Sequence, residues 1–264
     1  MSAASAAFVA NGDPAVPALE ITGLSLTIGA ARIVSDIELV IGNGEFLGLI
    51  GPNGAGKTSL LNLLSGLLAP TAGSIRLHGQ LLDNLAPHQR ARAGLGRTFQ
   101  SSDLFPALTV LENVRLASQA RMGGSMRLWR HADRATRPLH AAWANLERVG
   151  LAARAGALAG ALSHGEKRKL ELAILLASGP TVFLLDEPMA GVSAEDIPAL
   201  TTLIGELCAE RGATVVMVEH HMDVVLALAD RLAVMHHGAL LACDTPTAVM
   251  ANEIVQSAYV GEAL

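Results

Sequence analysis

Residues 51–58 read Gly-Pro-Asn-Gly-Ala-Gly-Lys-Thr, with Ser59 next, and they follow the apolar run Phe46-Leu47-Gly48-Leu49-Ile50. The order is that of a buried strand, a glycine-rich loop and a helix beginning near Lys57. Gly51, Gly54 and Gly56 reach backbone angles that other residues resist, so their N–H groups turn inward on an anion. The helix N-terminus adds partial positive charge. This is a phosphate cradle made by Gly51, Pro52, Asn53, Gly54, Ala55, Gly56, Lys57, Thr58 and Ser59. Lys57 is expected to reach the β- and γ-phosphates of ATP, and the Thr58 hydroxyl to hold Mg²⁺.

Upstream of the loop, residues 19–49 alternate short apolar segments with Gly23, Gly29, Gly42 and Gly44, which suits an antiparallel hairpin sheet. Residues 74–78 read as a further strand of that sheet. Between residues 100 and 161 the chain is arginine-rich and helical in pattern, with Trp129, Trp143 and a Met122-Gly123-Gly124-Ser125 break, as for an inserted helical subdomain. Helices over 165–177, 194–211 and 221–228 then alternate with strands over 181–185, 214–218 and 231–235. Such alternation implies a parallel sheet with ligands at the strands' C-terminal ends.

The strand over 182–185 runs into Asp186-Glu187-Pro188. Successive side chains of a strand point opposite ways, so the two carboxylates take different tasks: Asp186 on the Mg²⁺ shell, Glu187 on a water aimed at the γ-phosphate. A third motif, Leu162-Ser163-His164-Gly165-Glu166, precedes the helix at 165. Ser163 with Glu166 three residues on is a capping box, and Gly165 lets a ligand approach the same helix end, a second anion site. The structural and the phosphate-binding readings both apply there.

Composition narrows the partners. The chain has 264 residues and a net charge of −5 with no basic stripe, against a role coating nucleic acid. Cys208 and Cys243 stand singly in apolar segments, without disulfide or metal spacing. The doublets His220-His221 and His236-His237 do not give the i, i+4 face of a helical zinc site. Mean hydropathy is high at +0.40, yet the longest uncharged stretch, residues 58–75, is broken by Asn62, Gly66, Pro70 and Gly73, so a soluble chain is expected. Residues 1–18 read as a disordered tail, and residues 19–264 as one catalytic domain.

The phosphate loop, the Ser-x-Gly motif before a helix and the Leu184-Leu185-Asp186-Glu187-Pro188 strand, in this order, resemble an ATP-binding-cassette (ABC) ATPase over nearly the whole chain. The resemblance implies an α/β P-loop NTPase cassette with a mainly parallel core, an N-terminal antiparallel β subdomain and the helical insertion. It implies that Gln100 senses Mg²⁺ and the attacking water and that His220 contacts the γ-phosphate. Gly94-Leu95-Gly96-Arg97-Thr98-Phe99-Gln100, Thr109-Val110-Leu111-Glu112-Asn113-Val114 and the terminal Ala258-Tyr259-Val260-Gly261-Glu262 resemble the ATPases of branched-chain amino acid importers and their urea or amide relatives. Lipopolysaccharide-export ATPases share the tail.

By the same resemblance, two chains close head to tail on two ATP molecules, as a homodimer or with a sister ATPase. Transmembrane permease subunits and, indirectly, an extracytoplasmic solute-binding protein complete the assembly, placing the chain peripherally at the cytoplasmic face of the membrane. Permease docking is expected over residues 100–112, where Phe105, Pro106 and Leu108 offer apolar groups. Ile28 stands where the family stacks adenine on an aromatic, His164 replaces a glycine and Glu166 a glutamine of the signature, and His221 an acidic residue. The rival classes are a soluble cassette ATPase acting on DNA or ribosomes and a regulatory ATP-binding module.

Overall fold

The computed structural model describes residues 16–98, 104–122 and 133–260. Strands β1 (Leu19–Ile28) and β2 (Ala31–Ile41) form the expected hairpin, and β3 (Phe46–Ile50) leads through the glycine loop into helix α1 (Lys57–Ser65). The chain then returns to the first sheet as β4 (Ala72–Leu77) and β5 (Gln80–Leu81), giving the antiparallel order β2-β1-β4-β5. Helix α2 (Pro87–Ala93) and strand β6 (Leu95–Arg97) follow. Next come α3 (Val110–Met122), α4 (Asp133–Arg148), two short 3-10 turns and α5 (His164–Ser178). The last third alternates as β7 (Val182–Asp186), α6 (Ile197–Arg211), β8 (Thr214–Val218), α7 (Met222–Leu228), β9 (Arg231–His236) and β10 (Ala239–Asp244), ending in α8 (Pro246–Met250) and α9 (Glu253–Val260).

The second sheet has the order β10-β9-β3-β8-β7-β6, with β10 antiparallel to its neighbour and the other strands parallel. Its central strands β3, β7 and β8 are buried at every position because both faces are covered. Phe46, Phe183, Val215 and Met217 face the core shared with α5 and α6, while Leu47, Leu49, Leu184, Val216 and Val218 face the core shared with α1 and the antiparallel sheet. Gly48 is required by that packing: a Cβ there would lie 2.7 Å from Val225 of α7.

Helix α5 packs against both α3 and α4, so the helical layer expected over 100–161 continues into the signature helix. Of the residues expected as tail, 16–18 are described and are held in place: Ala18 is fully buried and the Val16 carbonyl accepts from the Asn43 side chain at 2.8 Å. Residues 1–15, Gln100, the 123–125 break and Trp129 lie outside the described residues.

Helix α2 and strand β6 have no counterpart in the sequence pattern, and α2 has a specific task. Its buried Arg90 donates to the carbonyls of Leu63 (2.7 Å), Leu64 (2.8 Å) and Leu85 (3.0 Å), closing the C-terminal end of α1. Arg90→Ala removes all three of these bonds, at about 1–3 kcal/mol. Chemical denaturation of the variant is expected to show that loss, and a stability equal to wild type would contradict the capping role.

Candidate active site

The glycine loop crosses the open end of the parallel sheet and rests on β9. A Cβ at Gly51 would lie 2.1 Å from the Met235 carbonyl oxygen, and one at Gly56 would lie 2.8 Å from that of Ile33. Both residues also have positive φ (147° and 100°), so the loop tolerates no side chain at either position. The Ala55 carbonyl accepts from Gly238 N–H at 3.0 Å, tying the loop to the turn after β9. Helix α1 has Gly56 as its N-cap and no side-chain cap, which leaves its first N–H groups for a ligand. Lys57 is buried and its Nζ donates to the carbonyls of Gly51 (2.6 Å) and Pro52 (2.9 Å), so the ammonium is held inside the arch of the loop. Thr58, in the first turn, is exposed.

Asp186 closes β7 and is 1% exposed. Its Oδ2 accepts from Arg97 Nη2 at 2.8 Å, and Arg97 Nη1 donates to Asn62 Oδ1 and Ser65 Oγ of α1, both at 2.8 Å. Thr98 Oγ1 accepts from the Asp186 N–H at 3.2 Å. The second carboxylate oxygen, Oδ1, is buried with no partner among the described residues. A buried anionic oxygen without a donor is costly, and a hard divalent cation is the ligand such an oxygen suits. The residues therefore fit Mg²⁺. Gln100, expected to join it, lies two positions past the Thr98 anchor, outside the described residues.

Glu187 is the next residue and leaves the strand with φ 48°, a left-handed angle that costs a non-glycine residue about 1 kcal/mol or more. Two bonds hold it there: its N–H donates to the Val218 carbonyl at 2.9 Å, and its own carbonyl accepts from Ala190 N–H at 3.0 Å. The turn carries the carboxylate away from Asp186 and towards His220, whose Nε2 lies 3.2 Å from Glu187 Oε1. That pairing follows from register. Strands β7 and β8 are parallel neighbours with Asp186 opposite Val218, so the residues just past each strand must meet.

Sequence reading passed over two residues at this site, Arg97 and Glu219. Arg97 was visible as a cation at a strand end opposite Leu184, once β6 is placed. Glu219 is buried between the loops that follow β7 and β8. Its Oε1 accepts from Met189 N–H at 2.9 Å, and its Oε2 from the N–H groups of His220 (2.6 Å) and His221 (3.2 Å), with His221 Nδ1 also at 3.2 Å.

Ser163 and Gly165 form a separate group at the start of α5. Ser163 Oγ accepts from Glu166 N–H at 3.3 Å and Glu166 Oε2 from Ser163 N–H at 2.9 Å, the expected capping box, which Arg154 braces from Glu166 Oε1 at 3.1 Å. The Ser163 N–H bond, helped by Arg154, holds the Glu166 carboxyl below the usual glutamate range. Because the folded value is the lower one, this contribution is present above the unfolded value and disappears as pH falls through the folded value. Ser163→Ala is expected to cost about 1 kcal/mol, roughly 2–4 °C in Tm. Glu166→Gln is expected to melt below wild type at neutral pH, with the gap closing below about pH 4. A gap that persists or widens in acid contradicts the capping assignment.

A model of the ABC transporter family matches residues 34–190. The chain is 36% identical over 254 residues to the high-affinity branched-chain amino acid transport ATP-binding protein BraF of Pseudomonas aeruginosa, covering 94% of this chain and 99% of that protein. It is 37% identical over 254 residues to LivG of Escherichia coli K12, which carries the same description, with the same coverage. Among solved structures, the ADP conformation of MJ1267, an ATP-binding cassette of an ABC transporter, superposes with a TM-score of 0.80 at 27% identity, over 93% of this chain and 99% of the other. With a shared fold, a family match across the phosphate loop and the Asp186-Glu187 strand, and relatives aligned from end to end, this chain belongs to the ABC transporter family.

Proposed function

We propose that the chain is the ATP-hydrolysing subunit of an uptake transporter, working on separate permease subunits, with branched-chain amino acids as the transported solute. The observation that carries the hydrolytic part is the 3.2 Å approach of Glu187 to His220 at the strand ends beside the glycine loop. The solute rests on what BraF and LivG are described as serving. No helix among the described residues is long and apolar enough to cross a membrane, so the translocation path belongs to other polypeptides.

In this mechanism the amides of residues 51–59 and Lys57 neutralise the triphosphate of ATP. Thr58, Asp186 and Gln100 would hold Mg²⁺, which neutralises charge on the β- and γ-oxygens. Glu187 orients the attacking water and takes its proton, and His220 steadies the γ-phosphate beside it. Ser163 and Gly165 of a facing copy or sister subunit complete the site from the opposite side. ATP then drives the permease by the difference of its affinity for the closed and open dimers. Permease docking fits a cleft of about 270 Å³ between the end of α1, α2, β6 and α5, with Leu67, Leu95, Leu104 and Ile174 on its walls. Phe105, 57% exposed and fixed through its backbone by the buried Asn113, stands one residue past Leu104.

Glu187→Gln is expected to keep ATP affinity, trap a nucleotide-bound dimer and lower turnover by at least about 100-fold. Lys57→Ala is expected to weaken ATP binding itself. Turnover in the first variant, or unchanged affinity in the second, overturns the assignment. Ile28 is 57% exposed at the end of β1. Ile28→Tyr is expected to tighten ATP by about 1 kcal/mol, since an aromatic face under a base contributes ~1–3 kcal/mol by stacking. Equal affinity in a binding titration would place adenine elsewhere.

A further inference from the structure

Glu219 is a buried acid for which the reaction as described has no task. It carries a negative charge out of water, which requires compensating donors. The compensation comes from main-chain N–H groups on two different loops. Met189 N–H, two residues past Glu187, reaches one carboxylate oxygen, and His220 N–H and His221 N–H reach the other. The same short turn is held from its far side by Arg168 of α5, whose Nε and Nη2 donate to the Ala190 carbonyl at 3.3 and 3.2 Å. The turn carrying Glu187 is thus clamped between Glu219 and the helix that begins with Ser163.

We propose that Glu219 is a positioning residue for ATP hydrolysis: its carboxylate locks the loop after β7 to the loop after β8, so that Glu187 and His220 meet the γ-phosphate as one unit. The geometry needs two acceptors on one rigid group, because each oxygen serves a different loop. Glutamine cannot substitute, since its NH₂ faces donors in either orientation and repels Met189 N–H or His220 N–H. Aspartate keeps the charge but is one methylene shorter and cannot span both loops. Neither change touches residues 51–59, so ATP binding is spared. Glu187 in a left-handed conformation makes the lock necessary: a strained residue stays in place only while its surroundings over-determine it. The inference rests on the reading of Glu187 and His220 as the hydrolytic pair.

The test is steady-state hydrolysis of Mg-ATP by the purified full chain and its Glu219→Gln, Glu219→Asp and Glu187→Gln variants, with ATP affinity and Tm measured for each. Glu219→Gln is expected to lose about 10- to 100-fold in kcat, as for a misplacement of catalytic groups by about 1 Å, while KM for ATP stays within about threefold. Glu219→Asp is expected to fall between it and wild type, and it carries the test alone if the glutamine variant does not fold. Wild-type kcat in either folded variant overturns the proposal. So does a loss of ATP affinity that matches the loss of kcat, which marks a purely structural residue. Turnover by Glu187→Gln would instead sink the hydrolytic reading, which an inactive Glu187→Gln alongside a normal Glu219→Gln would leave standing.

Discussion

The structure depends on one constraint: parallel strands deliver their C-terminal ends to a single edge of the sheet. With β3 between β8 and β9 and β7 beyond β8, the glycine loop, Glu219-His220 and Asp186-Glu187 arrive there together, although the loop lies more than a hundred residues before the other two in the chain. Register does the fine placement. Asp186 opposite Val218 leaves Glu187 and Glu219 as the first residues past their strands, where one turns outward to His220 and the other turns inward to bind both loops. A slip of one residue would exchange the two faces of β7 and bury the wrong carboxylate.

Buried charge is concentrated at that edge, and each charge is held in a different way. Lys57 bonds to loop carbonyls, Asp186 shares Arg97 with two polar groups of α1, and Glu219 is wrapped in main-chain N–H groups. Groups so fixed cannot relax when a triphosphate enters, and preorganised dipoles of this kind are what lower the barrier to charge rearrangement. Arg97 adds a mechanical feature, since it joins β6, the helix after the glycine loop and the Asp186 carboxylate in one network. The cleft proposed for permease docking is walled in part by the same strand, so the proposed permease and Mg²⁺ sites share a neighbour.

Most of the fold was legible because its signals are local. Short runs of large apolar residues ending at Gly51, Asp186 and Glu219 mark β3, β7 and β8, and Ser163 with Glu166 marks the start of α5. Helix α2 and β6 were not, because α2 holds no large apolar residue to mark a period and three residues are too few for one to show. The site followed the same division. The glycine-rich loop and the Asp-Glu pair are contiguous and stand out directly as candidates, and His220 enters through a family likeness. Arg97 and Glu219 act through partners 89 and 30 residues away, which no local pattern encodes. The burial of Ala18 is not legible for a related reason, as it looks like any other alanine until β1 and its neighbours cover it.

The central claim is that the amide cradle and the buried Oδ1 of Asp186 together receive one Mg-triphosphate, with Glu187 and His220 at its far end. A crystal structure of the chain grown with Mg²⁺ and a non-hydrolysable ATP analogue tests it most directly. The account predicts phosphates against the N–H groups of residues 54–59, the metal between Thr58 and the Asp186 carboxylate, and the terminal phosphate beside His220. Phosphates bound away from the loop, or a metal that leaves the Asp186 carboxylate untouched, would contradict it.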